Sequence, residues 1–193
     1  MTSSTTESQA LDSLADRLAA HRAALPSAAI PFQLPEPAVV GRQLRELGLL
    51  IAKTTMNFQS WIATEPPSES SARAASAFAA TTDHLGQVVS ALGSIASQNA
   101  FFARTEAFRD QPDVAASRKT VLRVLDLAVS NAQEELDEAI GHLRAESKVI
   151  TRLAELARLE AALTRTAPAG PATTHTPSPT TATAQTPTVR KSR

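Results

Sequence analysis

The amino-acid sequence predicts an all-α fold: an elongated bundle of three to four long helices that includes an antiparallel helical hairpin, followed by a disordered C-terminal tail. The twelve prolines fall in only four places, at residues 26 to 37, 66 to 67, 112 and 168 to 187. The stretches between them are rich in Ala, Leu and charged residues, and their apolar positions recur with helical periodicity. Because proline interrupts a helix interior, these four places are predicted to be the joints between helices.

Residues 1 to 36 are predicted to form a short N-terminal helix and a Pro-rich strap. The helix, over residues 6 to 25, has leucines at near-helical spacing: Leu11, Leu14, Leu18 and Leu25. It is the shortest of the predicted helices, so we expect it to be the least stable. The prolines that follow exclude regular helix, and the strap is expected to be extended.

Residues 37 to 165 are predicted to form the main helical domain. Its three helices are expected over residues 37 to 63, 69 to 108 and 113 to 165. The last two should pack as an antiparallel hairpin with Leu92 and Leu125 buried inside it. Apolar residues of the last helix recur in a nearly sustained heptad pattern, which is typical of a coiled coil.

Two pairs of glycines suggest a packing hypothesis for the second and third helices. Gly41 and Gly48 are seven residues apart, and so are Gly86 and Gly93. An interior glycine costs a helix roughly 1 kcal/mol relative to alanine, so a compensating function is plausible. We therefore predict close backbone approach between these helices, with chance placement as the alternative.

The tail, residues 166 to 193, changes abruptly to a Thr- and Pro-rich composition without acidic residues. It holds too little apolar surface to offset the entropy of ordering, which predicts disorder and a linker-like character. The tail closes with Arg190, Lys191 and Arg193, a basic end able to contact phosphate without sequence specificity.

Composition excludes several classes of protein. The absence of cysteine excludes disulfides, thiolate metal sites and cysteine nucleophiles. Nineteen basic residues balance nineteen acidic ones, so no overall field attracts nucleic acid or an anionic membrane. The first residues contain no secretory signal of the usual kind, and no apolar run approaches the roughly 20 residues of a membrane span. A cytoplasmic protein is therefore expected.

Catalytic motifs with a known mechanism are missing from the sequence, which predicts a protein that is not an enzyme and has no cofactor. Glu138, His142 and Glu146 recur every four residues on one helix face, and their side chains are of types that can bind a metal ion. Carboxylate-bridged metal bundles use a three-residue Glu-x-x-His spacing on two helices, and no second helix offers a matching pair. We interpret the constellation as a solvated charged face, and no metal site is predicted.

Four leucines near the end of the last helix are the predicted partner-binding residues: Leu153, Leu156, Leu159 and Leu163. The last helix extends about ten residues beyond the third, so the third helix cannot cover these leucines. A stripe this apolar is not expected to stay in water. Either the first helix covers it in a monomeric four-helix bundle, or the first helix is frayed and the stripe pairs with a second copy. We favour the antiparallel dimer, with residues 134 to 138 near residues 144 to 152 of the other chain.

The sequence therefore predicts a non-enzymatic helical interaction or scaffold protein that binds a partner helix or itself through apolar heptad stripes. One alternative is a bundle that binds a small ligand in a cavity among four aromatic residues: Phe58, Trp61, Phe78 and Phe102. The other is a nucleic-acid-associated accessory protein that uses the basic C-terminal end.

Overall fold

The computed structural model describes residues 3 to 25, 35 to 63 and 68 to 166, which form a bundle of α-helices. In chain order the elements are α1 (Ser3–Ala24), α2 (Pro37–Ile62), α3 (Glu69–Thr105), the 3₁₀ turn (Glu106–Phe108) and α4 (Pro112–Thr166). The described ranges contain no β-strand, and the predicted all-α fold is confirmed. Most of the predicted strap and the tail after residue 166 lie outside the described residues.

Local sequence signals set where the helices begin. α2 and α4 start at Pro37 and Pro112, because the fixed φ of proline suits a first helical turn. At the start of α3, the Ser68 hydroxyl accepts a hydrogen bond from the Ser71 amide at 3.0 Å. The Ser71 hydroxyl accepts one in return from the Ser68 amide at 2.9 Å, so two amides that the helix leaves unpaired are satisfied.

Helices α3 and α4 form the predicted antiparallel hairpin. Contacts across it join residues at increasing distance from the corner: Arg118 with Glu106 at 2.8 Å, His84 with Glu135 at 2.7 Å, and Arg73 with Glu146 at 3.2 Å. Leu92 and Leu125 are both fully buried, as predicted.

Arg118 stabilises the corner of this hairpin. Its guanidinium pairs with Glu106 and lies 4.7 Å from the centre of the Phe102 ring, a cation–π contact. Hydrogen bonds from Arg118 and then from Arg109 lower the pKa of Glu106. Because its folded pKa lies below the unfolded value, this carboxylate stabilises the fold at neutral pH, and the effect is lost as the pH falls through the folded pKa.

Helix α2 packs against α3 and runs antiparallel to it. Near the end of α3, the amide of Asn99 donates a hydrogen bond at 3.0 Å to the carbonyl oxygen of Pro35, just before α2 begins. Val40, Leu47 and Leu50 bury one face of α2 in the core.

Helix α1 packs against α4 and α3, and its segment buries all four predicted leucines. It runs antiparallel to α4, as three contacts show: Arg22 with Asp137 at 3.1 Å, Asp16 with Arg144 at 3.3 Å, and the Ser8 carbonyl with the Ser147 hydroxyl at 3.3 Å. The low stability expected of α1 stays a prediction. Its position shows that it covers the middle of α4, not the end.

The predicted close approach at the four glycines is wrong. Gly41, Gly48, Gly86 and Gly93 are all exposed, and a Cβ built at any of them meets no atom within 4 Å. These glycines lie on the outer faces of α2 and α3, so no packing of the described residues requires them.

Replacing Gly86 with Ala is therefore expected to stabilise the protein by up to about 1 kcal/mol, since the methyl group meets nothing and the helix gains propensity. Urea unfolding followed by circular dichroism measures the change. The matched control, Ala79→Gly on the exposed face of the same helix, should destabilise by a similar amount. A loss of stability in Gly86→Ala would show that this glycine does pack against something.

Candidate interaction surface

The last turns of α4 project beyond the helices that support it. Ser8 of α1 lies beside Ser147 of α4, and Arg73 of α3 lies beside Glu146. Both contacts are within five residues of the first residues of α1 and α3, so these helices begin near this level of α4. α4 continues to residue 166, about 19 residues farther, or roughly 28 Å of helix.

This projecting end carries the four predicted leucines. Leu156, Leu159 and Leu163 are 56%, 62% and 72% exposed, whereas Leu153 is half-buried. Two alternatives were set out from the sequence: either α1 covers the leucine stripe, or α1 is frayed and the stripe pairs with a second copy. Neither is complete, because α1 is folded against α4 and yet does not cover the stripe. The described residues leave three leucines in water.

The exposed leucines are one end of a longer exposed surface, which we name the outer face of α4. It consists of residues that recur every three, four or seven positions and are all exposed: Leu127, Glu134, Glu138, Gly141, Ala145, Arg152, Leu156, Leu159 and Leu163. It carries leucines at both ends and small residues in the middle, where a Cβ at Gly141 would meet nothing within 4 Å. Leu127, which is 61% exposed, was not predicted to lie on this surface, because a heptad pattern alone does not tell an inner from an outer position.

The outer face is acidic before its midpoint and basic after it. On this face Glu134 and Glu138 precede Ala145 and Arg152 follows it, and the exposed Lys148 lies between Ala145 and Arg152 in the sequence. Within the described ranges, no ion pair involves Glu134, Lys148 or Arg152. These charges are therefore available to a partner of complementary pattern.

No protein-family model, curated protein or solved structure matches this chain. In the part of the chain that the structure describes, no helix combines the length and apolar character needed to cross a membrane.

The aromatic residues of the ligand-binding alternative do not line one common cavity. Phe78 and Phe102 are both buried in the core, 24 residues apart on α3 and thus separated by roughly 36 Å. Phe58 and Trp61 of α2 pack against the core and are half-buried.

The remaining candidates from the sequence fall in different places. Glu138, His142 and Glu146 were interpreted as one solvated charged face. In the structure Glu146 pairs with Arg73 of α3 and does not contact the same residue as Glu138. Glu138 lies instead near His84 of α3, at 4.0 Å. The basic residues at the end of the tail, which carry the nucleic-acid alternative, lie outside the described residues.

Proposed function

We propose that the protein is a non-enzymatic, cytoplasmic helical interaction protein that pairs with a second copy of itself through the outer face of α4. The observation that carries this proposal is the projecting end of α4 with its three exposed leucines. Full burial of one leucine contributes on the order of 1.5 to 3 kcal/mol, so covering this end is strongly favourable.

A second copy is the occupant that the pattern of the outer face fits best. In a two-fold symmetric pair of antiparallel helices, residues equally far from the axis face each other. Glu138 and Arg152 each lie seven residues from Ala145, and Leu127 and Leu163 each lie eighteen. An axis at Ala145 therefore places Glu138 opposite Arg152 and Leu127 opposite Leu163 of the second copy, each pairing occurring twice.

The small residues at the middle of the outer face favour the same arrangement. Gly141 and Ala145 have the least side-chain bulk on this face, so two helices can approach closely beside the axis. Close approach at the centre brings Leu127 and Leu163 of the two copies into contact. The charge pattern opposes a parallel, in-register pair, which would set Glu138 against Glu138 and Arg152 against Arg152.

Sedimentation equilibrium at micromolar concentrations tests the pairing. The natural chain is expected to sediment as a dimer, twice its mass of 20.4 kDa. The double variant Leu156→Glu, Leu163→Glu should be monomeric with unchanged helical content, because both positions are exposed. Leu49→Glu with Met56→Glu on the exposed face of α2 is the matched control and should remain dimeric.

Cross-linking tests the register. The chain has no cysteine, so Ala145→Cys introduces a single thiol, and an axis at this position brings the two copies within disulfide distance. Oxidation should yield a covalent dimer with this variant but not with Ala100→Cys, an exposed alanine on α3. A natural chain that stays monomeric, or a dimer that survives the two leucine substitutions, would overturn the proposal.

A further inference from the structure

A histidine of α3 and two glutamates of α4 lie close together on the α3–α4 hairpin. Nδ1 of His84 on α3 lies 2.7 Å from Glu135 and 4.0 Å from Glu138, both on α4. One ligand atom from each of the three residues lies within 4.8 Å of the other two. The two glutamates are one helical turn apart and border a groove between α3 and α4 that is open to solvent.

The charges of this cluster are unbalanced, unlike those of two other carboxylates on α4. Asp137 has Arg22 at 3.1 Å, and Glu146 has Arg73 at 3.2 Å. Among the described residues, the ion pairs of Glu135 and Glu138 involve His84 alone. Two carboxylates therefore share one imidazole, and a divalent cation bound between them would compensate the charge of both.

The geometry suits a small transition-metal ion. Zinc binds imidazole nitrogen and carboxylate oxygen at about 2.0 to 2.2 Å, so adjacent ligand atoms of a tetrahedral site lie roughly 3.4 Å apart. The distances of 2.7 and 4.0 Å from His84 Nδ1 to the oxygens of Glu135 and Glu138 lie on either side of this value. Side-chain rotations that move each oxygen by a fraction of an ångström would make the two distances equal. His84 and Glu135 are half-buried and Glu138 is exposed, so water can take the fourth position.

We propose that His84, Glu135 and Glu138 bind one divalent transition-metal ion such as Zn²⁺, with solvent as the remaining ligand. An imidazole ligand selects this class over Mg²⁺, which prefers oxygen ligands only. The site lies within one chain, although its ligand Glu138 also faces Arg152 of the second copy in the proposed pair.

Titration calorimetry of the full chain with Zn²⁺, and the absorbance spectrum of added Co²⁺, test the site. We expect one ion per chain, and a Co²⁺ spectrum typical of low coordination number. His84→Ala and Glu135→Gln should each lower the affinity by more than the roughly 10- to 100-fold that loss of a supporting hydrogen bond costs. Glu135→Gln keeps a hydrogen-bonding side chain of the same size, so it stays informative if His84→Ala fails to fold.

Two histidines elsewhere in the described chain provide controls. His21 lies 3.9 Å from a single glutamate, Glu46, and His21→Ala should leave Zn²⁺ binding unchanged. His142→Ala should do so as well, although His142 is one turn from Glu138. The same titration on Leu156→Glu, Leu163→Glu separates metal binding from pairing and should give the same stoichiometry. No binding, or binding that survives Glu135→Gln or is lost in His142→Ala, would overturn the assignment.

Discussion

Replacing Leu11 and Leu18 together with Ser is expected to lower the free energy of unfolding by at least about 5 kcal/mol. Both side chains are fully buried where α1 packs against α4 and α3. Truncation of one buried leucine to alanine costs about 2 to 5 kcal/mol, and serine adds a buried hydroxyl. Since a domain of this kind is stable by only about 5 to 15 kcal/mol, the variant should be largely unfolded or close to it.

Urea unfolding followed by far-ultraviolet circular dichroism measures the effect. The matched control is Ala20→Ser with Ala23→Ser, which introduces the same residue at two exposed positions of α1. It should cost no more than the helix propensity of serine, under about 1 kcal/mol for the pair. Equal stability of the two double variants would mean that α1 is detached from the bundle in solution.

Phe78→Ala is expected to destabilise the protein by about 3 to 5 kcal/mol, the largest effect of any single substitution proposed here. Phe78 is the largest of the fully buried side chains, and its removal leaves a cavity that the surrounding helices can close only in part. Thermal and urea unfolding should both report the loss, with little change in helical content before the transition.

Phe108→Ala provides the same chemical change in an exposed setting. Phe108 is 54% exposed in the 3₁₀ turn at the hairpin corner. Its replacement should change the free energy of unfolding by less than about 1 kcal/mol. If the two phenylalanine variants were equally stable, the core around Phe78 would not be packed as described.

The helices were predictable because proline positions and apolar periodicity are local signals. The start of α2 at Pro37 and the burial of Leu92 and Leu125 followed directly from them. Local signals do not show which helix packs against which, because that depends on contacts between residues far apart in the sequence. The leucines of α1 mark an apolar face without indicating that its partner is the middle of α4.

The glycines and the histidine cluster show two further limits. A seven-residue spacing places Gly86 and Gly93 on one helix face, but only packing shows that this face is exposed. His84 and Glu135 are about equally far from the corner at Asp110, so the predicted hairpin already contained the signal that brings them together. Ligand spacing along one helix does not reveal this cluster, because its residues come from two helices.

The contacts of α1 also have a consequence for how the chain acquires its fold. The partners of Arg22 and Asp16 are 115 and 128 residues later in the sequence. During synthesis, the apolar face of α1 therefore emerges long before the segment of α4 that covers it. Native contacts between distant residues form slowly, and exposed apolar segments are prone to aggregate in the interval. We infer that the α3–α4 hairpin assembles first and that docking of α1 completes folding last.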